Sequence, residues 1–239
     1  MAMRLRDQVV IITGGSRGIG RAIALACARE GAHIVIAARN EKAMARVADE
    51  VQVLGREALA VPTDVTAEAQ VARLVERTLS HFERVDILVN SAGVSILAPI
   101  HETSLADWET TIAVNMRGTF LCCRAVWEPM MKQGHGVILN ISSGSGKRGH
   151  ANWSVYTASK FGVLGLSSAL SKEGIPLGIR VNTLCPGPTN TDMRHANFPD
   201  EDPATILQPE ELTNAALFLL TDPNIRGVAL DVRKLSVIP

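Results

Sequence analysis

Gln8-Val9-Val10-Ile11-Ile12-Thr13-Gly14-Gly15-Ser16-Arg17-Gly18-Ile19-Gly20 is the stretch that decides the fold of this chain. Its first six residues form a short apolar run rich in β-branched side chains, which reads as a buried strand. The glycines break that strand, and an alanine-rich helical pattern follows through Glu30. Glycines let a backbone come close to a pyrophosphate, and a helix start just beyond them offers unpaired N–H groups and a favourable dipole. Phosphate cradling is the natural use of such a turn. A Walker loop would need Gly-Lys-Ser/Thr at the helix start; here Gly20 is followed by Arg21-Ala22, which disfavours nucleoside triphosphate hydrolysis.

Working outward, strand and helix patterns keep alternating. His33 to Ala37 reads as a strand, a helix starts at Glu41, and Ala58 to Val61 is a strand running into Asp64-Val65. A helix from Ala67 to His81 and a strand from Val85 to Val89 come next. These repeats predict an α/β fold: a single-domain, Rossmann-type, doubly wound parallel sheet with helices on both faces, binding its ligand at the carboxyl ends of the strands. Asp64, Asn90 and Ser143 fall at such ends. No linker, repeat or low-complexity tract interrupts the chain before Pro186, so residues 1–239 read as one domain.

Composition narrows the function. A chain of 239 residues, 46% hydrophobic, can bury a large core, and its 24 basic and 24 acidic residues create no long-range field. Nucleic acid and anionic membranes are therefore poor candidate partners. The N-terminal residues carry no secretory apolar segment and no stretch approaches bilayer-spanning length, so a cytoplasmic protein is expected. Cys27, Cys122, Cys123 and Cys185 lack paired CxxC spacing and read as reduced core residues. The histidines are scattered without an HExxH pattern, and no metal site is expected.

The second strand ends in Ala38-Arg39-Asn40, where an NAD-binding unit would place an acid for the ribose 2′-hydroxyl. Arg39 instead offers a fork of donors suited to a 2′-phosphate, and Arg17 in the glycine turn adds a second charge. Both point to NADP(H). Further on, Gly136 to Ile141 reads as a buried strand, and Ser143 stands at its end. A helix over Val155 to Leu170 puts Tyr156 and Lys160 on one face. A free phenol, with a pKa of about 10, is a poor proton donor at neutral pH. An ammonium about 5 Å away, at an effective dielectric of about 20, would favour phenolate by roughly 3 kcal/mol, or about two pKa units. Tyr156 is the only tyrosine in the chain.

These residues, with Asn90-Ser91-Ala92-Gly93, Asn115, Tyr156-Thr157-Ala158-Ser159-Lys160 and Pro186-Gly187, stand in an order and spacing that resembles the short-chain dehydrogenase/reductase family over nearly the whole chain. The resemblance implies catalysis by Asn115, Ser143, Tyr156 and Lys160. Tyr156 would be the acid-base group, Ser143 would hold the substrate carbonyl, Lys160 would bind the nicotinamide ribose, and Asn115 would support a water-linked proton relay. It further implies an NADP(H) site built from Gly14, Ser16, Arg17, Gly18, Ile19, Gly20 and Arg39. Asp64 and Val65 would lie at the adenine, and Asn90, Ala92 and Gly93 would flank the ribose. Pro186, Gly187, Thr189 and Thr191 would lie near the nicotinamide and phosphates.

Some positions depart from the family pattern. Ser91 replaces the second Asn of Asn-Asn-Ala-Gly, and the tail lacks the frequent Asp-Gly-Gly ending. The stretch 192–208 is shorter than a typical substrate lid, and its Pro199, Pro203 and acidic residues predict an irregular flap. Leu207 to Glu211 and the terminal Ser236-Val237-Ile238-Pro239 resemble the branch of NADP-dependent 3-hydroxy acid or serine dehydrogenases, beside the 3-oxoacyl reductase type. His150 and Trp153 precede Tyr156 and are candidates for the substrate pocket. The expected partner is a small-molecule carbonyl or alcohol. The resemblance also implies a homo-oligomer, dimer or tetramer, formed through helices near Trp108 to Lys132 and Val155 to Leu170, where Ala158, Gly162, Gly165 and Ala169 would allow close approach. A catalytically silent NADP-sensing regulator would need only the dinucleotide half.

Overall fold

Seven strands form one parallel sheet in the computed structural model, which describes residues 3–234. Its elements are β1 (Val9–Thr13), α1 (Gly18–Arg29), β2 (His33–Ala38), α2 (Glu41–Val53), β3 (Ala58–Pro62), α3 (Glu68–Phe82) and β4 (Ile87–Asn90). They continue with α4 (Leu105–Ile112), α5 (Gly118–Gln133), β5 (Gly136–Ile141), α6 (Ser154–Glu173), β6 (Ile179–Pro186), α7 (Asp192–Asn197), α8 (Thr213–Thr221) and β7 (Ala229–Val232). Expected and observed boundaries agree to within a few residues. The terminal Ser236 to Pro239 lies outside the described residues.

The strand order is β3-β2-β1-β4-β5-β6-β7, with every neighbouring pair parallel. The chain winds outward from β1 to β3, then returns to the other side of β1 and winds outward again. The crevice between the C-terminal ends of β1 and β4 is thus a topological switch point. Register brings those ends level, since Thr13 pairs with Ala37 and Asn90, and Asn90 pairs with Asn140.

Alternation along the buried strands makes two cores. Val10, Ile12, Ile34 and Ile36 pack with Ile23 of α1, Met44 of α2 and Leu219 of α8 on one face. Val9, Ile11 and Val35 pack with Leu74 of α3 and with Cys122, Val126 and Met130 of α5 on the other. Both faces are apolar because parallel strands are covered on both sides. All four cysteines are free and buried. No described helix is long and apolar enough to cross a membrane.

Two local features differ from the sequence expectation. The helix expected from about Trp108 runs from Leu105 to Gln133 in two parts, joined by a π-helical turn over Ala113–Arg117. The stretch 192–208 is more regular than expected, holding α7 and a 3-10 turn over Pro203–Thr205. Thr191 caps α7 through its side chain, and a parallel bridge between Thr189 and Leu207 closes the base of the segment.

Leu105 and Trp108, three residues apart, and Met116 and Phe120, four apart, leave large apolar side chains exposed, as does Phe161 on α6. On α6, Gly165 would meet nothing within 4 Å if it carried a Cβ. Gly162 is different: a Cβ there would lie 2.6 Å from Met116 Sδ, so this glycine serves packing inside the chain.

Candidate active site

The loops leaving the C-terminal ends of the strands enclose a cleft of about 950 Å³. Gly14 is in the left-handed region at φ 65°, and a Cβ on it would sit 2.8 Å from the backbone nitrogen of Ala92. A side chain is excluded there on both counts. Ser16, Arg17, Gly18, Ile19 and Gly20 line the cleft where α1 begins. Its N-terminus has no side-chain cap and no acid in the first turn, whereas the neighbouring α2 is capped by Asn40 Oδ1, which accepts from Ala43 N–H at 3.0 Å. Unspent N–H groups facing a glycine cradle suit an anion.

Arg39 is exposed at the same end, beside Asp64 and Val65. Backbone and hydroxyl donation from Thr66 holds the Asp64 carboxyl below its ordinary range, and burial opposes the shift. Arg17 is partly engaged, its Nη1 lying 2.9 Å from Asp192 Oδ2. Arg39 forms no ion pair among the described residues. Ala92, Gly93, Pro186, Gly187, Thr189 and Thr191 complete the lining. The donor set fits a dinucleotide carrying several phosphates.

At the far end of the cleft, Ser143 leaves β5 and enters a 3-10 turn over Gly144–Gly146. A Cβ at Gly146 would fall 2.5 Å from Ser142 Oγ and 2.9 Å from Lys160 O, so only glycine lets this turn seat against α6. That seating brings Ser143 and Tyr156 to the same end of the cleft, close enough for the hydroxyl to act on the phenol. Lys160, 6% exposed, donates from Nζ to Ile141 O at 2.9 Å, the last carbonyl of β5. Its Nζ lies 5.8 Å from the Tyr156 ring centroid.

The electrostatics correct the simple phenol-ammonium expectation. Burial raises the Tyr156 pKa, with Ser143 and the Arg194 guanidinium pulling the other way. Burial also depresses Lys160, to about 8. Helical spacing alone puts an ammonium beside the phenol in a partly screened medium, but in the fold its hydrogen bond goes to the strand and both groups lose water.

Two expected residues are turned away from the cleft. Asn90 Nδ2 donates to Asn140 Oδ1 at 2.9 Å within the sheet, and Asn140 Nδ2 in turn donates to Ser167 Oγ at 2.8 Å. Asn115 is held in the π-helical turn, where its Oδ1 accepts from Val94 N–H at 2.8 Å. Its Nδ2 donates to Val94 O at 2.9 Å and to Ser159 Oγ at 3.0 Å. Both ends of the Asn115 amide are spent, so this side chain clasps the loop after β4 to α6. The extra residue of a π turn is what aims it there.

His150 and Trp153 do line the cleft, and sequence reasoning missed their neighbours Phe198 and Arg194. Trp153 meets Tyr156 edge-on at 5.8 Å and Phe198 at 5.8 Å between ring centroids, and His150 lies 5.4 Å from Trp153. Arg194 stands over Phe198, its Cζ 3.7 Å from the ring centroid. The one available signal was an arginine and a phenylalanine four residues apart in a segment read as irregular.

Residues 8–202 match the family described as short chain dehydrogenase. A 3-oxoacyl-[acyl-carrier-protein] reductase of Synechocystis is 38% identical over 226 residues, covering 92% of this chain and 91% of the relative. A D-threitol dehydrogenase of Mycolicibacterium smegmatis is also 38% identical, over 92% of this chain and 88% of the relative. A short chain dehydrogenase of Shigella flexneri, solved in complex with NADP, superposes with a TM-score of 0.91 at 30% identity, covering 97% of this chain and 99% of that one.

The depressed Lys160 predicts a pH signature in the cofactor-free protein. Its folded pKa of about 8 lies below the value of roughly 10.4 in an unfolded chain. Between those values the unfolded state binds the extra proton, so stability rises with pH, by roughly 3 kcal/mol in total. Urea midpoints followed from pH 7 to 10.5 are expected to show this rise relative to Lys160→Met. Parallel curves for the two proteins would refute it.

Proposed function

The chain belongs to the short chain dehydrogenase family and is an oxidoreductase, and on that premise we propose that it is an NADP(H)-dependent enzyme acting on a small carbonyl or secondary alcohol. The observation that carries the reading is the convergence of Ser143, Tyr156 and the buried ammonium of Lys160 in the same cleft as the uncapped glycine turn. Bound there, a nicotinamide dinucleotide supplies or accepts the hydride.

The chain's own residues do the rest. Ser143 offers its hydroxyl to the substrate oxygen, a contact that strengthens as negative charge develops there. Tyr156 gives that oxygen its proton in reduction and takes it back in oxidation. Lys160 spends one N–H on Ile141 O, keeping two for a ribose and for the field at the phenol. Burial holds the phenol protonated until a charge develops beside it, which suits a donor better than a resident phenolate. Asn115 acts by position, fixing Val94 and Ser159 around Tyr156.

Arg39 is the main recognition group for a 2′-phosphate, with Arg17 shared between that phosphate and Asp192. The similarity to an acyl-carrier-protein reductase supports a 3-oxoacyl-type ketone, whereas the tail resembles that of 3-hydroxy acid dehydrogenases. The exposed stripe of Leu105, Trp108, Met116, Phe120 and Phe161 is proposed to bury itself against a second copy of the chain.

Three measurements test this reading. Tyr156→Phe is expected to bind NADPH normally and lose about a hundredfold to ten-thousandfold in turnover across a carbonyl panel. Near-normal reduction by this variant would overturn the assignment of the proton donor. The catalytic efficiency of the unmodified protein is expected to favour NADPH over NADH, and Arg39→Asp to invert that preference; better efficiency with NADH at the outset would refute the cofactor assignment. Light scattering at micromolar concentration is expected to give a multiple of 25.6 kDa and Phe161→Glu to lower it, so a monomer mass for the unmodified protein would exclude self-association.

A further inference from the structure

The guanidinium of Arg194 is built in a way that cofactor binding and proton transfer do not require. Its side chain is only 16% exposed. One edge is fastened to Glu201, with Nε 2.6 Å from Oε2 and Nη2 2.5 Å from Oε1. Its flat face rests on Phe198. Of the five N–H donors in the fork, Glu201 takes two. Nη1 has no hydrogen-bond partner among the described residues, and Arg194 lines the cleft beside His150, Trp153 and Tyr156. A planar group immobilised on one edge and one face presents its remaining edge without further loss of rotamer freedom.

Arg194 lines the same cleft as Ser143, Tyr156 and Lys160. Arg194 is close enough to be one of the charges acting on Tyr156. Phe198, beneath it, touches Trp153, which meets Tyr156 edge-on. Arg148 lines the same end of the cleft and forms no ion pair among the described residues. The acid nearest the guanidinium, Glu201, occupies the fastened edge and leaves the open edge to a ligand.

We propose that Arg194 is a specificity-determining residue that binds a carboxylate on the substrate, so that the preferred substrates are small 2- or 3-oxo acids, or the matching hydroxy acids. The apolar wall of Trp153 and Phe198 takes the short carbon chain between the carboxylate and the reacting carbonyl. Glu201 is the positioning residue, holding the fork at a fixed angle. The proposal rests on the oxidoreductase reading above.

The test compares matched pairs, 3-oxobutanoate with its methyl ester and 2-oxopentanoate with its methyl ester, at saturating NADPH. For at least one pair the acid is expected to exceed the ester in kcat/KM by roughly tenfold to a hundredfold, the range typical of a charge-assisted hydrogen-bonded contact. Arg194→Met is expected to cut the acid-to-ester ratio at least tenfold, Arg194→Lys to keep part of it, and Glu201→Gln to lower it by raising KM for the acid. A ratio near one in the unmodified protein would overturn the proposal while leaving the oxidoreductase reading intact. So would an Arg194→Met variant that slows acid and ester equally, since that would make the pair a mere fastener of the flap. NADPH binding with no reduction of any carbonyl would instead remove the oxidoreductase reading itself.

Discussion

The ammonium of Lys160, buried against the last carbonyl of β5, is the constraint on which the site depends. A buried charge is costly unless its donors are met, and the described residues supply one acceptor, Ile141 O. Everything nearby is arranged around that partial satisfaction. A Cβ at Gly93 would crowd Asn115 Oδ1 at 3.3 Å while making only ordinary contact with Nζ at 3.8 Å, so this glycine serves the Asn115 clasp beside the lysine. Gly146 lets the turn after β5 seat on the backbone of Lys160 itself. Ser143 and Tyr156 then face the same cleft because strand, turn and helix cannot move independently.

A second constraint comes from the sheet. The polar line Asn90, Asn140 and Ser167 crosses from β4 to α6 inside an otherwise apolar layer. Although Asn90 Oδ1 is buried without a partner among the described residues, the donated bonds along this line fix register more sharply than apolar contacts do. Asn115 does the same for the loop after β4. The site is thus held by side chains that face away from it, while the groups facing the cleft keep free donors: the N-terminus of α1, Arg39, Lys160 and the outer edge of Arg194.

The segment from Asp192 to Leu207 joins the two halves of the cleft. Asp192 reaches Arg17 in the glycine turn, and Arg194 and Phe198 reach the wall beside Tyr156. Exposed as it is, the Arg17 pair contributes little to stability. The better-buried Arg194–Glu201 pair fixes the geometry of the cleft wall beside Trp153 and Tyr156.

Sequence alone determined the βα alternation, the parallel sheet, the glycine turn, and the placing of Ser143, Tyr156 and Lys160 at strand and helix positions that can converge. These rest on local periodicity and on residue types with few alternative uses, such as glycine at a phosphate turn. Tertiary structure decided where the polar side chains point. Asn90 and Asn115 turn inward, the Lys160 ammonium faces a backbone carbonyl, and Arg194 becomes part of the site. The asparagine and lysine outcomes depend on partners 19 to 50 residues away, as in the Lys160–Ile141, Asn115–Val94 and Asn90–Asn140 contacts, and Arg194, though fastened locally, meets Tyr156 and Trp153 only across the fold. The phenol's shift also follows from burial, which exists only once helices and sheet have closed over it.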